Sequence, residues 1–237
     1  LGYREIILAD SPAAYWRLGE TAGTTAADET GSHAGTYQGA CTLGRPGAIA
    51  SSADGALQVA GAGYVDLGNV LNATADMSVE CWVKLSATGV HQDVVSKEGD
   101  GPASGYELGF AADNRVIWGV FAGTYYNIGA GGSGSLQISD TTLWHHLVGV
   151  RDSAAGLLRL YVDGVQVDTA ACGPGVAASP QPLLLGAYPH VGAPSLKLSG
   201  YLDEVAIYAA ALTAQQVRRH YTEGLASAGI KRLGVES

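Results

Sequence analysis

The chain has 237 residues, 47% apolar and only 15% charged, with 34 glycines, one methionine and a formal net charge of −9. That length suits a single all-β domain with a full core, and so much glycine suits many short strands and tight turns. The acidic balance argues against nucleic acid or an anionic membrane surface as a partner, since both favour Lys/Arg patches. It is compatible with solubility outside cells and with bound cations. No run approaches the roughly 20 apolar residues of a membrane span, which excludes membrane insertion by a helix, and no signal-peptide pattern is visible.

The cysteines are Cys41, Cys81 and Cys172. Their number is odd and no CxxC spacing occurs, which argues against a zinc site or a redox pair. Cys81 alternates with Val79 and Val83 and reads as a small buried hydrophobe. A Cys41–Cys172 bridge stays open.

In chain order, residues 3–9 read as a short helix. Asp10-Ser11-Pro12 ends it, because the residue before proline disfavours helix. Residues 14–18 form a first strand, followed by a polar, Gly-rich loop over 20–35 that carries Asp28, Glu29 and His33. A short strand closes that loop. Strands follow at 56–59 and 64–67, with Asn72-Ala73-Thr74 between them and the next as a glycosylation pattern common by chance. Residues 78–85 alternate well: Val79, Cys81, Val83 and Leu85 share one face, and Glu80, Trp82 and Lys84 the other. Strand 93–96 leads into a turn over 99–102.

Tyr106, Leu108 and Phe110 line one face of a strand that turns at Asp113-Asn114 and returns through Val116, Trp118 and Val120. Strand 125–128 precedes a Gly/Ser run over 129–135. That run lacks the GK[ST] ending of a phosphate loop, so it reads as a turn. Strands at 144–150 and 157–162 follow, and Asp163-Gly164 is the best hairpin signal in the chain. Val165 and Val167 return, and 183–186 is a buried strand. Residues 200–208 form the closing strand. Alternation puts Asp203 on one face with Tyr201, Val205 and Ile207, an apolar setting where a carboxylate must be paired, hydrogen-bonded or metal-bound. One well-capped helix follows, with Thr213 as N-cap and Gln216 at the third helical position in a capping box, and Leu212 and Val217 as the hydrophobic staple. Gly224 ends it.

Short strands at regular spacing with almost no helix predict an all-β, two-sheet antiparallel sandwich or jelly roll. Its short helices lie near the termini. The boundaries read as a helical lead-in over 1–13, one domain over 14–224, and a tail or linker over 225–237.

Several segments together resemble the laminin-G-like, concanavalin A-like jelly-roll domain. They are Ser78-Val79-Glu80-Cys81-Trp82-Val83-Lys84, Trp144-His145-His146-Leu147-Val148 with Leu160-Tyr161-Val162-Asp163-Gly164, the closing strand with Ala211-Leu212-Thr213, and Tyr15-Trp16-Arg17-Leu18-Gly19-Glu20 with Asp28 and Gly31. The opening, from Ile7 to Leu18, is also similar to modules of bacteriophage tail and other virion proteins, which implies a virion or extracellular setting.

The resemblance implies a structural calcium held by the acid of the closing strand, with groups from the N-terminal strand and loop. The matching position is Asp203, followed by Asp28 and then Glu20. Calcium takes several hard oxygen ligands, backbone carbonyls included. The alternative is an Asp203 satisfied by backbone N–H groups or a buried arginine.

Enzyme readings fare poorly. Glucanases of this fold use an E-x-D-x-E strand, absent here, although glycoside hydrolysis needs paired acids. Glu107 and Asp113 read as solvated strand or turn acids. G-x-S-x-G is also absent. His145 and His146 face opposite sides of one strand and read as structural. What remains is a non-catalytic recognition module for a glycan or cell-surface polysaccharide, or an assembly module contacting other virion or extracellular subunits. Sugar-contact candidates are Tyr125, Tyr126, Asn127, Tyr188 and His190, since sugars stack on exposed aromatic faces beside polar groups.

Overall fold

A computed structural model describes residues 2–98, 104–130, 135–175, 177–190 and 192–226. The expected 99–102 turn, most of the 129–135 run and the tail from 227 lie outside them.

Helix α1 (Tyr3–Ala9) leads into β1 (Ala14–Trp16). The strands that follow are β2 (Thr25–Ala26), β3 (Gly35–Gln38), β4 (Cys41–Pro46), β5 (Gly55–Ala60), β6 (Tyr64–Asp66), β7 (Met77–Leu85) and β8 (Gln92–Ser96). Next come β9 (Tyr106–Phe110), β10 (Val116–Phe121), β11 (Tyr125–Ile128), β12 (His145–Asp152), β13 (Leu157–Val162) and β14 (Val165–Ala171). The chain closes with β15 (Leu184–Leu185), β16 (Ser199–Tyr208) and α2 (Ala214–Gly224).

Two antiparallel sheets result. One runs β14-β13-β12-β7-β16-β5-β4 with β1 also on β16, and the other runs β11-β10-β9-β8-β15-β6-β3-β2. Directly paired residues share a face, so the alternation read from sequence becomes two packed layers. Val79, Cys81, Val83, Leu147, Leu202 and Ile207 from the first sheet meet Leu108, Phe110, Trp118, Val120 and Leu185 from the second. Trp118 is wholly buried there, and its indole N–H donates to the Val150 carbonyl at 3.1 Å.

The outer face of the first sheet is buried as well. Tyr15, Trp82, Val148 and Tyr208 pack there with Tyr3 and Ile7 of α1 and Val217 of α2. Trp82 donates to the Tyr3 hydroxyl at 2.9 Å. The capping box at Thr213 and Gln216 forms as expected. Both helices thus cap one sheet, and among the described residues no helix lies on the outer face of the second. Among the described residues no helix is long and apolar enough to cross a membrane.

The structure closes one open question, adds one strand and corrects one expectation. All three cysteines are free, so Cys41 and Cys172 do not pair. Strand β4 lacks a clean alternation and carries a positive-φ Gly44 and a terminal Pro46, yet it pairs with β5 at the sheet edge, where proline is tolerated. The closing strand is not regular. Its register against β7 slips between Asp203 and Ala206, and Glu204 adopts φ 50°. One extra residue there reverses the alternation. Asp203 pairs with Trp82 on the outer face beside Tyr201, while Val205 and Ile207 point into the sandwich.

Candidate functional site

The register of the second sheet sets one row of residues across its outer face. Thr36 pairs with Asp66, Asp66 with Leu184, Leu184 with Ser96, and Ser96 with Glu107. Glu107 then pairs with Gly119, and Gly119 with Asn127. At the Asp66 end the face opens into a groove of about 220 Å³, lined by Tyr64, Asp66, Gln181, Pro189 and His190 among others. A hairpin closed by Tyr188 and Ser195 backbone bonds forms its wall. The Lys197 ammonium lies 5.4 Å from the centre of the Tyr64 ring, within cation–π range. A larger depression of about 640 Å³, between Arg115, Gln137 and Asp168, has no aromatic ring among its described lining residues.

At the other end of the row, Tyr125 lies across Gly119, where an added Cβ would collide with its ring. Its ring stacks on Phe121 with centroids 4.5 Å apart, and its hydroxyl donates to Glu107 Oε1. Glu107 is therefore not the solvated acid expected: it is almost wholly buried. Burial, and then the charge of Asp93, push its carboxyl up to about 7. Asp93, at the β8 bulge, is fully buried, and His91 Nε2 lies 3.2 Å from its Oδ1. That contact raises the His91 imidazole above its ordinary value.

The expected sugar contacts separate. Tyr125 and Asn127 lie on the outer face, whereas Tyr126 pairs with Val120 and packs on the core. Tyr188 and His190 sit on the hairpin at the groove. Tyr64, Asp66 and Gln181 were missed. The alternation of Tyr64 and Asp66 about Val65 was a usable signal, because it puts both on one face.

The closing-strand acids form a third arrangement. Strand β16 pairs first with β5 and then with β1, and Asp203 and Glu204 lie between the two pairings. Asp203 Oδ2 accepts from the Ala48 N–H at 2.7 Å, while Oδ1 is buried without a hydrogen-bond partner among the described residues. Glu204 accepts from the Tyr15 hydroxyl and from Arg17, whose Nη2 lies 3.0 Å from Glu204 and 2.9 Å from Asp54. Burial, followed by the neighbouring Glu204, raises the Asp203 carboxyl well above its usual range. Burial likewise lifts Glu204, to about 7, against the pull of Arg17.

Asp28 and Glu20 are committed elsewhere. Asp28 takes N–H groups of Tyr15, Thr30, Ser32 and His33 and the Thr30 hydroxyl. Burial opposes its charge, but these bonds outweigh it and hold the carboxyl below its ordinary value. Glu20 accepts from the Ala27 N–H at 2.7 Å and the Tyr37 hydroxyl at 2.6 Å. Asp203, Asp28 and Glu20 do not converge on one point, and among the described residues the one metal-like grouping is His91, Asp93 and Glu107. Asp203 Oδ1 is the open oxygen left for a calcium, and Arg17 supplies positive charge beside it. His145 and His146 do face opposite sides: His145 bridges Asp140 and Asp163 at 2.8 Å each, and His146 lies 3.3 Å from Glu80.

A two-layer sandwich with a helix-capped first sheet and an aromatic groove on the second defines a jelly-roll protein of the concanavalin A-like class. The chain belongs to the concanavalin A-like lectin/glucanases superfamily, whose family model matches residues 59–218. No curated protein matches it. Among solved structures it is similar to domain 4 of an extracellular arabinanase from Geobacillus stearothermophilus, in complex with arabinotriose. That match has 22% identity and a TM-score of 0.64, over 89% of this chain and 98% of the other. It is also similar to a Ruminococcus gnavus sialidase carbohydrate-binding module bound to α2,3-sialyllactose, at 12% identity and a TM-score of 0.57, over 69% and 95%. The binding domain of botulinum neurotoxin serotype D aligns at 13% identity with a TM-score of 0.62, and the match spans 52% of its length.

Proposed function

We propose that this chain is a non-catalytic carbohydrate-recognition module acting outside the cell, and that it reads glycan on the outer face of its second sheet. The observation that carries this reading is the open groove of about 220 Å³ where Tyr64, Asp66, Gln181 and His190 converge. An aromatic face beside amide, carboxylate and imidazole groups suits a ring with an apolar side and hydroxyls at its rim. The solved complexes of the arabinanase domain and the sialidase module with oligosaccharides support the same reading. Glu107 and Asp93 are buried beneath the face rather than flanking the groove, which favours binding over hydrolysis, since paired catalytic acids must reach the scissile bond.

The test is a glycan array with the intact chain, followed by titration of the hits against Tyr64→Ala. Saturable binding weakened by that change supports the reading. An array without hits, joined to stable association with another virion or surface protein, would leave an assembly module instead.

A further inference from the structure

His91 and Asp93 stand two apart on the approach to β8 and on β8 itself, and Glu107 stands on the neighbouring strand β9. A side-chain nitrogen of His91 and carboxylate oxygens of Asp93 and Glu107 all lie within 4.8 Å of one another. We propose that these three side chains bind one divalent transition-metal ion of the Zn(II) kind, which pins β8 to β9.

Four observations carry this. Asp93 is fully buried, yet neither carboxylate oxygen has a hydrogen-bond partner among the described residues; the His91 imidazole lies 3.2 Å from Oδ1. A buried, unpartnered carboxylate costs far more than a solvated one, and a cation removes that cost. No lysine or arginine among the described residues pairs with Asp93 or Glu107, so a single imidazole faces two buried carboxylates. The ligand set is one imidazole and two carboxylates, and the nitrogen selects a transition metal over calcium or magnesium, which take oxygen. Finally, Tyr125 donates to Glu107 Oε1, which is how an outer partner orients a ligating carboxylate. The His91 side chain is 37% exposed, while its Nε2 is buried beside Asp93. The site is separate from Asp203, on the other sheet.

The experiment uses the full chain, stripped with EDTA and dialysed, then titrated with ZnCl2 in a calorimeter and melted with and without the ion. One ion per chain is expected. The wild-type melting temperature should rise by about 5 °C at roughly 100 times Kd. His91→Ala and Asp93→Asn should each weaken binding at least about tenfold, while His190→Ala should not. Asp93→Asn keeps the shape and removes a charge, so the stripped variant should fold. The proposal is overturned if Zn(II) does not bind, if both site variants bind like wild type, or if calcium alone stabilises the chain and does so equally in His91→Ala.

Discussion

His220 Nδ1 lies 2.9 Å from Glu80 Oε2, with both side chains shut off from solvent, and the contact ties α2 to the strand at the centre of the first sheet. The Tyr208 hydroxyl donates to the other Glu80 oxygen at 2.5 Å, and His220 Nε2 reaches Asp10 at 2.8 Å. The end of α1 and the central strand thus meet at one imidazole of α2. Burial works against both charges, yet the partners win: Glu80 is held far below its ordinary range and His220 is pushed up to about 9.

The pH dependence follows from the sign of each shift. A histidine raised on folding adds stability that is complete below its unfolded value near 6.5 and is lost as pH rises through about 9. Between those limits stability should fall by up to about 3 kcal/mol. Glu80, depressed on folding, adds stability above its unfolded value that is lost only as pH falls through its folded one. Urea melts from pH 6 to 10 should show the alkaline loss, and His220→Gln should flatten it while costing roughly 3 to 5 kcal/mol at pH 6.5. An unchanged alkaline slope in the variant would disconnect His220 from it.

Arg17 carries a second prediction. It neutralises Glu204 and Asp54 beside the buried Asp203. Arg17→Met should destabilise the fold by about 3 to 5 kcal/mol, because it strands buried acid. Adding CaCl2 to the EDTA-stripped and dialysed chain reports on calcium. A rise in the wild-type melting temperature with calcium, absent in Asp203→Asn, would show that the open Oδ1 holds that ion. A stripped wild type indifferent to calcium would assign the neutralising role to Arg17 alone.

Glycan affinity should respond to the groove and not to the core-facing tyrosine. Tyr64→Ala should lower affinity about tenfold, near 1.4 kcal/mol, with little change in melting temperature. Tyr126→Phe keeps the ring that packs on the core and should bind like wild type. Isothermal titration against the best array ligand measures both, and equal losses would move the site.

Gly149 faces the ring of Trp118 across the sandwich, and a Cβ there would run into the indole. Gly149→Val should therefore cost about 1 to 3 kcal/mol through overpacking. Guanidinium denaturation of the variant would read this as a lower midpoint with an unchanged slope.

Legibility varied by residue. The face of β7 was readable because Val79, Cys81, Val83 and Leu85 repeat strictly at period two, and all four pack in the core. The face of Asp203 was misread because nothing local announces the bulge: Glu204 takes φ 50° although glutamate has no preference for it. Tyr125 and Tyr126 look equivalent in sequence, yet pairing with β10 turns one outward and one inward. His91, Asp93 and Glu107 are brought together by the β8–β9 register, and only the His-x-Asp spacing hinted at a shared face.

The sequence by itself determined what neighbouring residues can settle. Alternation specified the strands, the Thr213–Gln216 box started α2, and Asp163-Gly164 turned a hairpin with φ of 51° and 75°. Each is a property of a few consecutive residues and needs no distant partner. Tertiary structure alone decided which sheet face the helices cover, and so which face stays open for a ligand. It also decided which acids lose their water. A carboxylate's solvation depends on atoms contributed from remote parts of the chain, such as Ala48 against Asp203 or Tyr208 and His220 around Glu80, and no local pattern encodes that.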